Sequence, residues 1–273
     1  NSSRHSYSFD HIAAYDMPLA TTFIRKKIGE KAKLNIICHC LGSLSFNMSL
    51  FSGLQVGVDS VISNSVSLFC RIPFLAKMKL EYLIQNDLLE NVFRLNVIDP
   101  AALGKKDWLQ SLVSYGNSIL NHECDNATCH MLSFMWGCGS SVLFNHENIL
   151  EITHDRLCDL FSETTFHYYK HVLKIVNLGM PTRFNNSDSQ FNKLPSNYLE
   201  KLKANKTPIL LISGADNKVF TDSNYYTYRK LSNINPTLYK FHTFLNYGHQ
   251  DIFMGKNVHL DVFPVFKEFL SSI

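Results

Sequence analysis

Apolar residues recur at helical spacing from Phe9 to Ile28 (Ile12, Ala13, Met17, Ala20, Phe23 and Ile24 among them), and Gly29 supplies a stop. Pro18 inside this run predicts a kink or a two-piece helix, because proline has no N–H to give the preceding turn. A short apolar run from Leu34 then passes through Cys38-His39-Cys40-Leu41-Gly42 directly into a second helical pattern, Ser43 to Leu54. Val58 to Leu68 reads as the next parallel strand, so the strand–helix–strand unit is expected to cross over right-handed. From Phe69 to about Asn205 the pattern changes to helices and loops with almost no strand signal. Helices are predicted over Phe74–Leu89, Trp108–Ile119, Thr153–Leu160 and Phe166–Val176, and a loop over Leu178–Pro195. Strand patterning returns at Thr207–Ile212 and Leu238–Phe244, and a final helix is expected over Val262–Leu270. The expected fold is α/β: a mostly parallel sheet with helices on both faces, built from residues 1–68 and 206–273, with a mainly helical cap, 69–205, inserted between them.

The junction at Cys38-His39-Cys40-Leu41-Gly42 carries the chemistry. A strand that turns sharply into a helix around x-x-nucleophile-x-Gly is a nucleophile elbow, and it presents one side chain at the carboxyl end of the sheet. Here the presented residue is Cys40. Backbone N–H groups at a helix start favour a thiolate. The Leu41 N–H is the oxyanion donor legible at this turn. Cys38 and Gly42 flank the nucleophile at the positions where small residues are expected, because strand and helix pass very close there, and His39 is expected beside the pocket. The plain alternative is that Cys40 is a buried small hydrophobe at a strand end. Ser43 lies past the turn, inside the helix, and suits capping or simple polarity better than attack.

Two later segments supply partners. The strand ending at Ile212 is followed by Ser213-Gly214-Ala215-Asp216-Asn217, and the strand ending at Phe244 by Leu245-Asn246-Tyr247-Gly248-His249-Gln250-Asp251. Nucleophile, acid and histidine in that order, each just after a strand, is the order of a Cys-His-Asp triad on this topology. His249 is expected to take the Cys40 proton and Asp216 to orient the imidazole. Asp222 and Asp251 compete for the acid role. Asp251 sits two residues from His249, where local loop hydrogen bonding fits better, and Asp222 lies further from the strand end.

With those motifs in place the chain resembles the α/β-hydrolase superfamily, and within it the hydrolase module fused to cholesterol-oxidase-like (GMC-type) flavin oxidoreductases. The likeness runs from Ser8-Phe9-Asp10-His11-Ile12-Ala13-Ala14-Tyr15-Asp16 through the elbow, Cys124-Asp125-Asn126-Ala127-Thr128-Cys129, Asn145-His146-Glu147-Asn148 and Thr153-His154-Asp155 to Tyr247-Gly248-His249-Gln250-Asp251. A cysteine at the elbow is similar to dienelactone hydrolases and polyhydroxyalkanoate synthases. Cys38 departs from the glycine usual in the superfamily. The triad and the resemblance imply acyl hydrolysis or transfer on an ester or thioester, no cofactor in this segment, and an upstream flavin oxidoreductase domain as partner; an apolar substrate is suggested only by the aromatic content of the cap. A catalytically silent binding module is the alternative. It also implies a sheet of about eight strands with the elbow after the fifth. Only one helix precedes the elbow here, so the amino-terminal strands are expected to be missing and the chain to be a carboxy-terminal fragment.

Composition narrows the classes. The formal net charge is +3 with no Lys/Arg block, which argues against nucleic acid, and no stretch approaches the ~18 apolar residues of a membrane span. The hydrophobic fraction of 45% supports a sizeable core. The seven cysteines leave at least one thiol unpaired. Cys124 and Cys129 are expected either to close a small disulfide loop or to stay reduced. Zinc is disfavoured for want of a second ligand pair at metal spacing; His122 and His130 give no finger pattern, and His146, Glu147, His154 and Asp155 read as cap residues. The aromatic residues Phe134, Trp136, Phe144, Phe166, Tyr168 and Tyr169 are expected to divide between cap core and an apolar pocket wall. The Asn47 sequon lies on the elbow helix and is expected to be buried.

Overall fold

Among the described residues six strands form: β1 (Asn35–His39), β2 (Ser60–Asn64), β3 (Val97–Ile98), β4 (Thr164–Thr165), β5 (Ile209–Gly214) and β6 (Tyr239–Phe244). They come from a computed structural model that describes residues 7–85, 97–98, 124–139, 142–161 and 163–273. The predicted helix Trp108–Ile119, the end of the one over Phe74–Leu89, and His122 lie outside the described residues. The main sheet has the order β1-β2-β5-β6 and is parallel throughout. β2 therefore pairs directly with β5, although the whole helical segment separates them in sequence. β3 and β4 form a separate two-residue antiparallel ladder inside that segment, where no strand was expected.

The two central strands are buried at every position, as a parallel strand covered on both faces requires. Alternation sorts their side chains. Val61, Ile209 and Leu211 join the large core that includes the elbow helix and residues from the segment between β2 and β5, while Ile62, Leu210 and Ile212 face Val262, Phe266 and Phe269. The final helix, Phe263–Ser271, covers that second face. β1 pairs only with β2 among the described residues, and Ile37 on it is 50% exposed.

Local chemistry sets several boundaries differently from the expectation. β2 stops at Asn64 instead of running to Leu68, because Ser65 turns to φ 72° just after its N–H makes a last bond to β5, at the Ile212 carbonyl. The first helix is in pieces: Phe9–His11, a π-helical turn Ile12–Asp16, then Met17–Ile28 with Pro18 in its first turn. The wider π turn precedes the position where proline withholds its N–H. Gly29 ends the helix at φ 79°, a conformation costly for other residues. The elbow helix begins at Cys40 and ends at Phe51. Asn47 on it is fully buried; its side-chain amide donates to the Ser43 carbonyl.

The sheet geometry predicts unequal costs along one register row. Ile62→Ala empties a fully buried site and should cost about 2–5 kcal/mol, whereas Ile37→Ala, on the half-exposed edge in register with it, should cost under about 1 kcal/mol. Urea unfolding of the two variants checks this. Equal losses would mean that β1 is covered as fully as β2.

Candidate active site

The turn from β1 into the elbow helix puts Cys40 at φ 55°, in the left-handed region. A non-glycine residue held there costs about 1–3 kcal/mol and persists only where the surroundings impose it. Here β1 is fixed by its ladder with β2, and the helix is fixed by Leu44, Phe46 and Met48, all at 2% exposure or less. The strain lifts the Cys40 side chain out of the sheet and into a cavity of about 300 Å³. Tyr7, Trp136, Leu143, Phe161 and Tyr168 give that cavity an apolar, aromatic wall. Of the six aromatics expected to divide between wall and core, Trp136 and Tyr168 reach the cavity, while Phe144, Phe166 and Tyr169 are buried in the core.

The steric reason expected for the flanking residues changes. A Cβ on Gly42 would meet nothing within 4 Å, so glycine is not required there to let strand and helix pass; the space beside it belongs to the cavity. Cys38 is accommodated two residues before Cys40, with its Sγ 3.4 Å from the Ser43 hydroxyl. Ser43 is not a helix cap. It is fully buried and shares a 2.6 Å hydrogen bond with Ser63, which locks the elbow helix to the end of β2.

His249 reaches the site through a close approach of backbone. A Cβ on Gly214 would sit 2.1 Å from the Tyr247 carbonyl oxygen and 2.2 Å from that of Gly248. Only a glycine at the end of β5 lets the histidine loop lie against it. The loop is held from the other side as well. The N–H groups of His249 and Gln250 both donate to the Leu143 carbonyl, and the buried Asp251 carboxylate accepts from the Gly248 N–H, the Asn148 amide and the Asn145 N–H. Asp251 thus shapes the loop instead of orienting the imidazole. The sulfur of Cys40 and ring nitrogens of His249 and His39 all lie within 4.8 Å of one another. The rings of His39 and His249 are 4.6 Å apart, and His39 Nδ1 is 2.8 Å from the side-chain nitrogen of Asn64 at the end of β2.

Asp216 is not brought to the histidine. It is exposed, it makes no side-chain hydrogen bond among the described residues, and its backbone N–H donates to the Tyr247 carbonyl. His249 Nδ1 is buried without a hydrogen-bond partner among the described residues. The reason is the direction of the turn after Gly214. It sends Asp216 outward and turns Asn217 inward, where Asn217 Oδ1 accepts from the Val219 and Phe220 N–H groups and its amide donates to Ser65. Asp222, the other competitor, pairs with Arg71 at 2.9 Å. Asn64, Asn217 and the Leu143–Asn148 segment are the parts of the site that patterning alone did not reveal. A polar residue ahead of Val219-Phe220 at a strand-end turn was the available signal for Asn217.

Burial dominates the electrostatics. It pushes the Cys40 thiol up to about 12, against the pull of the Leu41 N–H. It also holds His249 well below the usual imidazole range, with His39 adding to the effect, and His39 itself falls to about 4. At neutral pH the resting pair is therefore thiol and neutral imidazole, and not an ion pair. Such a pair can attack an acyl carbon only with proton transfer to the imidazole during the attack. One further group of metal-ligating types lies away from this pair, at Cys124, Cys129, His146 and His154.

The sequence matches no family model and no curated protein. The structure is similar to the crystal structure of a monoacylglycerol lipase from Paleococcus ferrophilus, with 11% identity and a TM-score of 0.52 over 98% of this chain and 76% of that one. It is also similar to a highly thermostable carboxyl esterase from Bacillus coagulans solved in complex with glycerol, with 14% identity and a TM-score of 0.56 over 97% of this chain and 72% of that one. The likeness establishes the α/β-hydrolase fold, a parallel sheet with helices on both sides. Among the described residues no helix is long and apolar enough to cross a membrane.

Two measurements follow from this geometry. Asp216→Asn should leave kcat within about threefold of wild type, where loss of a true orienting acid costs on the order of 10⁴-fold; a loss of that size would restore Asp216 to the site. Cys40 alkylation by iodoacetamide should rise about tenfold per pH unit through pH 8–10 without levelling off near 9, because the thiol titrates only at about 12. A plateau below pH 9 would show a resting thiolate.

Proposed function

We propose that this chain is the catalytic part of an acyl hydrolase or acyltransferase acting on an apolar ester or thioester, with Cys40 as nucleophile and His249 as base. The observation that carries the reading is the strained Cys40, raised at a helix start into an aromatic cavity with His249 beside it. Cys40 Sγ attacks the carbonyl carbon as its proton passes to His249. The carbonyl π pair moves onto oxygen, and the Leu41 N–H helps hold the resulting oxyanion. Collapse expels the alcohol or thiol leaving group, which takes the proton from His249, and leaves a thioester on Cys40. Water or an acceptor alcohol, deprotonated by His249, then attacks that thioester and regenerates the thiol. Residues 69–205 act as the cap in this reading, since Trp136, Phe161, Thr164 and Tyr168 all line the cavity from that segment.

The expected experiment is turnover of p-nitrophenyl esters and acyl-CoA, with Cys40→Ala and His249→Ala each lowering kcat by about 10³-fold or more. Turnover that survives both substitutions would remove the pair from the reaction.

A second reading is favoured by one observation, the buried His249 Nδ1 that lacks an orienting partner among the described residues. In that reading the fold is a silent binding module of a larger flavin-dependent oxidoreductase, and the cavity holds an apolar ligand without turnover. Iodoacetamide labelling that is no slower in His249→Ala than in the wild type would favour the silent module.

A further inference from the structure

Away from Cys40, side chains from four places in the chain converge in the segment that follows β2. Cys124 lies just before the helix Ala127–Trp136, and Cys129 lies in its first turn. His146 opens the turn His146–Asn148, and His154 sits in the short helix Glu151–Asp155. Their sulfur and ring-nitrogen atoms all lie within 4.8 Å of one another. Around a tetrahedral zinc, with Zn–S ~2.3 Å and Zn–N ~2.0–2.1 Å, ligand atoms stand about 3.3–3.8 Å apart. The set therefore closes on an ion with shifts of about 1 Å or less. The second ligand pair that sequence spacing lacked is supplied by folding: His146 and His154 are separated along the chain, yet their rings stand 5.0 Å apart.

Three independent observations point to an ion. His154 Nε2 is buried with no hydrogen-bond partner among the described residues, an expensive state for an imidazole nitrogen that a metal would relieve. Among the described residues no disulfide joins Cys124 to Cys129, and Cys129 Sγ lies 3.6 Å from His146 Nε2. The donors are also braced from behind, as metal ligands commonly are. The Asn126 side chain accepts from the Cys129 N–H at 3.0 Å and donates to the His154 carbonyl at 2.8 Å, so one residue ties the cysteine segment to the histidine segment.

We propose that Cys124, Cys129, His146 and His154 form a closed, four-coordinate structural zinc site. Two thiolates and two imidazoles select a borderline-soft ion over Mg²⁺ or Ca²⁺. Both thiol protons pass to solvent as the two Zn–S bonds form, and no ligand position is left open for substrate. The placement gives the ion a mechanical role. His146 belongs to the Leu143–Asn148 segment that clasps the His249 loop, and Lys256 just beyond that loop donates its N–H to the Asn148 carbonyl. Trp136, at the far end of the Cys129 helix, lines the Cys40 cavity. Zinc would staple the cap to the loop that carries the histidine.

Metal analysis of the untagged full chain, purified without chelator, tests this directly. We expect about one zinc per chain, retained in Cys40→Ala and in the alternative-ligand variant His154→Cys, and lost in Cys129→Ser and His154→Ala. Cobalt exchanged into the wild type should give the visible bands of a tetrahedral thiolate site, and zinc removal should lower Tm by at least ~5 °C. The readout needs no activity, so it stands or falls apart from the reaction proposed for Cys40. A wild-type protein that takes up no zinc on remetallation, a Cys124–Cys129 disulfide found by peptide mapping, or zinc that leaves with Cys40→Ala would each overturn the site.

Discussion

Everything at the carboxyl end of this sheet depends on one contact, the backbone of Tyr247 and Gly248 lying against Gly214. A methyl group on Gly214 would fall 2.1 Å from the Tyr247 oxygen, so no other residue leaves room for the loop. That contact fixes where β6 hands over to the histidine segment. It also turns the chain after β5, sending Asp216 to solvent and Asn217 inward. The strained turn at Cys40 supplies the other half of the arrangement. Two rigid strand ends, β1 and β5, separated only by β2, thus present a thiol and, through the loop, an imidazole to one cavity.

The site is built dry, and its charges follow. Burial holds the thiol protonated and the imidazole neutral, so the resting molecule stores no thiolate. The acid side follows by linkage. His249, His39 and His171 are all held below the usual imidazole value, so the unfolded chain binds protons that the native chain refuses. Their contribution to stability is whole above about pH 6.5 and is lost as pH falls toward 4. Asp10 acts in the opposite sense. Burial raises it to about 6, and one of its oxygens has no hydrogen-bond partner among the described residues, so its cost is greatest above that pH.

The sheet and the elbow were legible because their signals are local: apolar runs of strand length, a Cys-x-Gly turn and a helix at once behind it. Cys40 and His249 were legible for the same reason, each following a strand end. Asp216 misled because the choice between neighbouring side chains rests on the φ and ψ of a single turn, which residue identity does not encode. Gly42 was read as a steric necessity by its spacing, but the space beside it is cavity. The cysteine and histidine cluster was hidden for a different reason. Its members come from four places in the chain, and only tertiary packing, with Asn126 as the tie, brings them within reach of one another.

The most direct test is to trap the acyl group. Wild-type protein exposed to an activated ester, quenched in acid and mapped by peptide mass should carry the acyl mass on Cys40. Gly214→Ala, folded by circular dichroism, should carry little or none, because its methyl group drives the Tyr247–Gly248 backbone away and takes His249 with it. Acylation of Cys40 at wild-type rate in Gly214→Ala would contradict the account.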